Sequence, residues 1–199
     1  MCWNKQVSLQ TFLISLGVCA VLIQRQKPYD IVFASLLLFY SSIQLAEYFM
    51  WESLETHNVK LNKLATKFAY YSLWSHMFGL GLGIYLETQK TFPLVLGCIL
   101  FAFGVVLEPQ DFSLTQIQND CKSSKGSCHL QWGFDNRYYI VIFLCAMYSF
   151  YAYTDVKYTW IAYPFYIVSY ILSYAFHGQG SASYWCWISA ALSFLLLFR

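Results

Sequence analysis

The apolar residues of this chain fall into seven runs, each near the length of helix that crosses a bilayer, with polar segments between them. They extend from about Val7 to Ile23, Ile31 to Trp51, Ala65 to Leu86, Phe92 to Leu107, Tyr138 to Tyr153, Tyr158 to Phe176, and Ser181 to Phe198. A hydrocarbon core of roughly 30 Å takes about 20 helical residues at ~1.5 Å each. The second, third and sixth runs meet that length, whereas the fourth and fifth are short and must draw on flanking aromatics or thin the bilayer locally. Backbone polar groups in lipid must be paired internally, and none of the runs alternates as a lipid-facing barrel strand does. The expected fold class is therefore all-α: one polytopic domain over 1–199, a bundle of seven transmembrane helices with an extramembrane loop at about 108–137.

Composition separates this reading from a soluble helical domain. Charged residues are 11% of the chain and hydrophobic ones 58%, against about 25% charged in ordinary soluble domains. A net charge of +2 gives no electrostatic footprint for nucleic acid, so the lipid bilayer is the expected partner. The first run is not a signal peptide on its own evidence, because Leu16-Gly17-Val18-Cys19-Ala20 continues into Val21-Leu22-Ile23 before Arg25 and Lys27. Trp3, Tyr29, Trp51, Trp132, Tyr138, Tyr139, Tyr158 and Trp160 fall near expected span ends, where amphipathic rings anchor at the membrane–water boundary.

Seven crossings place the termini on opposite sides. Short segments on the C-terminal side carry Arg25, Lys27, Lys90, Lys157 and Arg199, against Lys5, Lys60 and Lys63 opposite. The positive-inside rule then puts the N-terminus in the lumenal or extracellular space and the C-terminus in the cytoplasm. Cys121 and Cys128 are the two cysteines in a loop, and on that face they can close a small disulfide. With His129 they are too few for a local zinc site. Cys2, Cys19, Cys98, Cys145 and Cys186 read as small apolar packing residues.

An ionisable side chain inside a span is costly and marks a candidate site. Gln44 and Glu47, three apart in the second run, share a helical face near Ser41 and Ser42, with Glu47 about 6 Å inside the boundary. Mid-span in the third run is His76, after Tyr70, Tyr71 and Trp74. Tyr163, Tyr166, Tyr170, Tyr174 and His177 recur every three or four residues in the sixth, beside Ser169 and Ser173, as a stripe expected to look into the bundle. The turn His177-Gly178-Gln179-Gly180-Ser181 then opens the last run, with Ser181 placed as a cap and Trp185 close behind. Alternating directions gather Gln44, Glu47, His177, Gln179, Ser181 and Trp185 in one half of the membrane above His76, around an expected pocket that also takes in Tyr166, Tyr170 and Tyr174. The bland alternative for Glu47 is an ion pair with Lys67, which can snorkel to the same depth.

Other signals concern packing. Gly79-Leu80-Gly81-Leu82-Gly83 holds a small-xxx-small pair that permits close helix approach, and Gly97 and Gly104 repeat it at seven residues. The same surfaces are compatible with a homo-oligomer. Pro164 should kink or begin the regular part of the sixth helix.

Four families bear comparison. Retinal proteins need a lysine in the last span, which Ser181–Phe198 lacks, and the signatures of G-protein-coupled receptors are missing from the third and seventh. Ceramidase-like seven-span hydrolases hold zinc with histidines near one boundary; Glu47, His76 and His177 offer a comparable donor set without the paired His-x-x-x-His of that family. Gln44-x-x-Glu47-x-x-x-Trp51, His177-Gly-x-Gly-Ser181 and Trp185-Cys186-Trp187 resemble uncharacterised small multi-pass families, including ones of large DNA viruses, and this resemblance implies no activity. The expected function is an intramembrane polar and aromatic pocket that binds or conducts a proton, ion or small ligand, as in a channel, transporter or sensor. No cofactor is required by that reading. The alternatives are a membrane-embedded enzyme acting on a lipid substrate, with zinc at Glu47, His76 and His177, or a structural scaffold without chemistry.

Overall fold

The computed structural model describes residues 4–107, 111–117, 130–134, 139, 142, 143, 145, 167–175 and 193–198. The described residues are mostly helical: α1 (Lys5–Arg25), α2 (Asp30–Glu55), α3 (Val59–Thr88) and α4 (Thr91–Val106) follow one another, 167–175 is helical, and Ser193–Phe198 is a 3-10 turn. Local chemistry sets the boundaries. The Asn4 side chain accepts from Val7 N at 2.9 Å and Asn58 from Leu61 N at 3.0 Å, each capping a helix start. Gln26 and Gln89 take left-handed backbone at the ends of α1 and α3, which stops those helices within one residue.

The first four apolar runs are thus helices, with one difference. α3 begins at Val59 rather than Ala65, because Asn58 caps it and the polar turn carrying Lys60 and Lys63 is already helical. α1 and α2 are each long and apolar enough to cross a membrane, and α4 is a shorter apolar helix. The fifth to seventh runs lie largely outside the described residues. At the end of the seventh the chain is 3-10 rather than α, the tighter form common at helix ends.

α2 packs between α1 and α3, and α3 also packs on α4. Small residues let these backbones approach. A Cβ on Gly83 would stand 2.8 Å from Val32 Cα, and one on Gly79 would meet the Phe39 ring, so this pair faces α2. On α4, a Cβ on Gly97 would lie 2.7 Å from Met77 O and one on Gly104 would strike the Trp74 indole. Hydrogen bonds follow the same contacts: Ser35 Oγ donates to Gly79 O at 2.8 Å, and Tyr70 OH to Gly104 O at 2.7 Å.

After α4 the chain doubles back as an antiparallel pair, β1 (Gln116–Ile117) and β2 (Leu130–Gln131). Thr115, Leu130 and Trp132 in this segment are buried, although it reads from sequence as an extramembrane loop. Asn62 of α3 explains the docking: its Nδ2 donates to Thr115 O at 3.1 Å and its Oδ1 accepts from Thr115 N at 2.8 Å. Thr66 Oγ1 adds a bond to Thr115 Oγ1 at 2.8 Å.

Beside an apolar core, several polar side chains are buried and many large apolar ones are exposed. Ser8, Ser15, Asp30, Ser41, Gln44, Glu47, Asn62, Thr66, Ser72 and His76 are buried, while Leu13, Val21, Leu38, Leu64, Phe92, Ile99, Val106 and Ile171 face outward. Charges gather at two levels. Lys5 Nζ contacts Glu52 Oε2 and Glu55 Oε2, both at 2.6 Å, where α1 starts and α2 ends. Where α1 ends and α2 starts, Arg25 grips Asp30 through Nε at 2.8 Å and Nη2 at 2.7 Å, and its Nη1 donates to Leu197 O at 3.0 Å. Glu87 Oε1 accepts from Tyr29 N at 3.0 Å on the same level. The 21 residues of α1 separate the two levels by about 30 Å.

Candidate functional site: the α2–α3 interior

Gln44, Glu47 and His76 are all fully buried, and all three sit in the interior between α2 and α3. On α2, Tyr40, Gln44, Glu47 and Trp51 recur at four, three and four residues, which makes one face, and each is buried. Glu47 Oε1 accepts from Trp132 Nε1 at 3.1 Å. The docked hairpin delivers this indole, so the carboxylate's partner comes from a segment distant in sequence.

His76 occupies an aromatic enclosure two helical turns along α2 from Glu47. Tyr40 stacks on the imidazole with centroids 4.6 Å apart, and Tyr139 and Phe143 meet it edge-on at 6.0 and 6.2 Å. Nδ1 bonds the Tyr139 hydroxyl at 2.7 Å; which group donates follows from the tautomer. The Phe39 backbone carbonyl lies within reach of the ring as an acceptor, but Nε2 makes no well-aligned hydrogen bond with any described residue.

Lys67, the alternative partner of Glu47, lies on α3. Lys67 is exposed, and its ammonium lies 5.7 Å from the Tyr71 ring centroid. The tyrosine stripe also divides. Tyr170 packs on the core and Ser173 is buried, but Tyr174 is 59% exposed. The small side chain of Ser173 sets the inward face of 167–175, which turns Tyr174 outward.

Tyr166, His177, Gln179, Ser181 and Trp185 lie outside the described residues, as do Cys121 and Cys128 with their expected disulfide. The zinc set of Glu47, His76 and His177 likewise has its third member there. Among the described residues no group of three His, Cys, Asp or Glu side chains is placed to hold a metal. Trp51, Trp132 and Tyr139, expected as boundary anchors, are core residues instead. Cys98 and Cys145, expected as packing residues, are exposed, whereas Cys19 is buried.

Sequence reasoning missed four members of the site. Tyr40 had a signal, since it lies seven residues before Glu47 on the same face. Ser72 had one too, four residues before His76. Trp132 and Tyr139 had none that local periodicity carries, because both reach the centre through the fold of the segment after α4. No family model, no curated protein and no solved structure matches this chain.

Proposed function

We propose that the chain is a seven-span integral membrane protein whose α2–α3 interior binds a proton or small polar ligand at Glu47, with Gln44 orienting the carboxyl and His76 extending the hydrogen-bonded path. The observation that carries the reading is the full burial of a carboxylate and an imidazole between helices whose outer faces are apolar. A charge in such surroundings costs several kcal/mol unless a proton, a cation or strong donors compensate it, and proteins place such groups there for ion or proton handling. Support for the membrane comes from the many large apolar side chains exposed on the outer faces of the helices. The roughly 30 Å between the two charged levels equals a hydrocarbon core. In the sequence, Arg25, Lys27, Lys90, Lys157 and Arg199 stand on the C-terminal side against Lys5, Lys60 and Lys63 opposite, which favours a cytoplasmic C-terminus and a lumenal or extracellular N-terminus.

Infrared difference spectroscopy of the purified protein in nanodiscs, recorded across a pH step, tests the centre. A protonated-carboxyl band is expected in the wild type and is lost in Glu47→Gln. An unchanged spectrum in that variant overturns the proton site. One equivalent of zinc that disappears in His76→Ala would replace it with a metal-dependent reading.

A further inference from the structure

We propose that ordered water binds between Ser72 and His76 in the α2–α3 seam and links the Glu47 carboxyl to the His76 imidazole as a proton relay. This rests on the reading of Glu47 as a proton site.

The behaviour of the helical serines points to it. Ser41, Ser42, Ser53 and Ser75 each donate to the carbonyl three residues back, at 3.1, 2.5, 2.6 and 2.6 Å. This is the usual way a hydroxyl is satisfied inside a helix. Ser72 does not do so: its Oγ is buried and makes no hydrogen bond with a described residue. His76 Nε2 is in the same condition, one turn further along the same face.

That face is the one against α2. Gly79 and Gly83 contact Phe39, Ser35 and Val32, and Ser72, His76, Gly79 and Gly83 follow at intervals of four, three and four. Gly83 opposite Val32, Gly79 opposite Ser35 and His76 opposite Tyr40 define an antiparallel register. Continued by one turn, it sets Ser72 against Ile43 and Gln44. Two buried polar atoms therefore share a seam at the level of the Gln44 carboxamide, and Glu47 is the next polar group along α2. Buried water characteristically occupies such places, bridging polar groups that the protein leaves unbonded.

The relay moves one proton and no electrons. The Glu47 carboxyl gives its proton to a water, and that water passes one of its own along the chain. The last water delivers one to Nε2 of the tautomer whose Nδ1–H donates to Tyr139. Return in the opposite order restores both groups. The titratable side chains facing the imidazole are Tyr40 from α2 and Tyr139.

The test is the rate at which the Glu47 carboxyl band appears after a pH jump in nanodiscs. Ser72→Ala should slow it about tenfold, the effect of one lost hydrogen bond in a transition state, with the band amplitude intact. Ser72→Thr, which keeps the hydroxyl, should retain the wild-type rate. Equal rates in wild type and Ser72→Ala overturn the relay while leaving Glu47 as the proton site. Absence of a Glu47 band in the wild type overturns both. A density map from the same nanodiscs is the second measurement: a peak within hydrogen-bond reach of Ser72 Oγ and His76 Nε2 is expected, and apolar packing there overturns the proposal.

Discussion

α2 presents different chemistry to its two neighbours. Against α1 it uses Ala34 and Leu37, which pack on Val18, Cys19 and Leu22, and mid-seam Cys19 Sγ donates to Ala34 O at 3.4 Å. Its charges stand at the two ends, as Lys5 with Glu52 and Glu55 and as Arg25 with Asp30. Against α3 one end carries the bond from Tyr29 N to Glu87 Oε1 and the middle is polar: Gln44, Glu47, Ser72 and His76 lie among Tyr40, Trp51 and Trp132. End charges stay near water and join helices, whereas mid-depth groups must be compensated by the protein itself. Under the proposed function, the α1–α2 seam serves assembly and the α2–α3 seam holds the site.

The strongest way to break this contrast is to force α2 and α3 apart. Gly83→Leu sets a Cβ against Val32 Cα at 2.8 Å and Val32 O at 3.0 Å. Backbone cannot yield there as a flexible side chain can, so the loss should be about 3 kcal/mol or more. Unfolding of the purified variant in mixed micelles measures it, and the Glu47 band should vanish together with the fold. Retained stability would mean that α2 and α3 are not held in this register.

Asn62→Ala acts one step further out. It removes the two bonds to the Thr115 backbone and strands a buried N–H and C=O, a cost of about 2–4 kcal/mol at ~1–2 for each group. Its more informative effect is on the centre. If the hairpin delivers Trp132 to Glu47, the ultraviolet resonance Raman signature of a hydrogen-bonded indole should weaken in this variant as it does in Glu47→Gln. An unaltered indole signal would separate hairpin docking from the site.

How far these regions could be read from sequence follows the range of the interactions that build them. The first four helices were legible because apolar runs of the right length and a capping Asn are local signals. Gln44, Glu47 and His76 were legible as inward residues because a polar group in an apolar run has a single economical place to go. Trp132 was not, since its role depends on Asn62 and Thr66 docking Thr115 from a segment that looks like an ordinary loop. Tyr174 misled for a related reason: a repeat of three and four leaves two adjacent faces open, and the small Ser173 decided which one turned inward. Tyr166, His177, Gln179, Ser181 and Trp185 fall outside the described residues, so of the expected pocket's tyrosines Tyr170 and Tyr174 are compared.

The smallest effects belong to the ends of the α1–α2 seam, and the two ends should differ from each other. Asp30 is 1% exposed and accepts from Arg25 twice and from Lys27 N at 2.9 Å. Asp30→Ala removes the acceptor shared by the helix start and the Arg25 guanidinium, and Arg25 also holds the Leu197 carbonyl. Its cost should therefore persist in high salt and loosen the C-terminal 3-10 turn, read as faster backbone amide exchange over Ser193–Phe198. Lys5 and its two carboxylates are partly in water, where ions screen the attraction over about 10 Å at 0.1 M salt and such pairs contribute little. Lys5→Ala should lower the unfolding midpoint slightly at low ionic strength and not at all at high. Equal, salt-insensitive losses at the two ends would show that the Lys5 end is as enclosed as the Asp30 end, and the division between wet ends and a dry polar middle would have to be drawn deeper along α2.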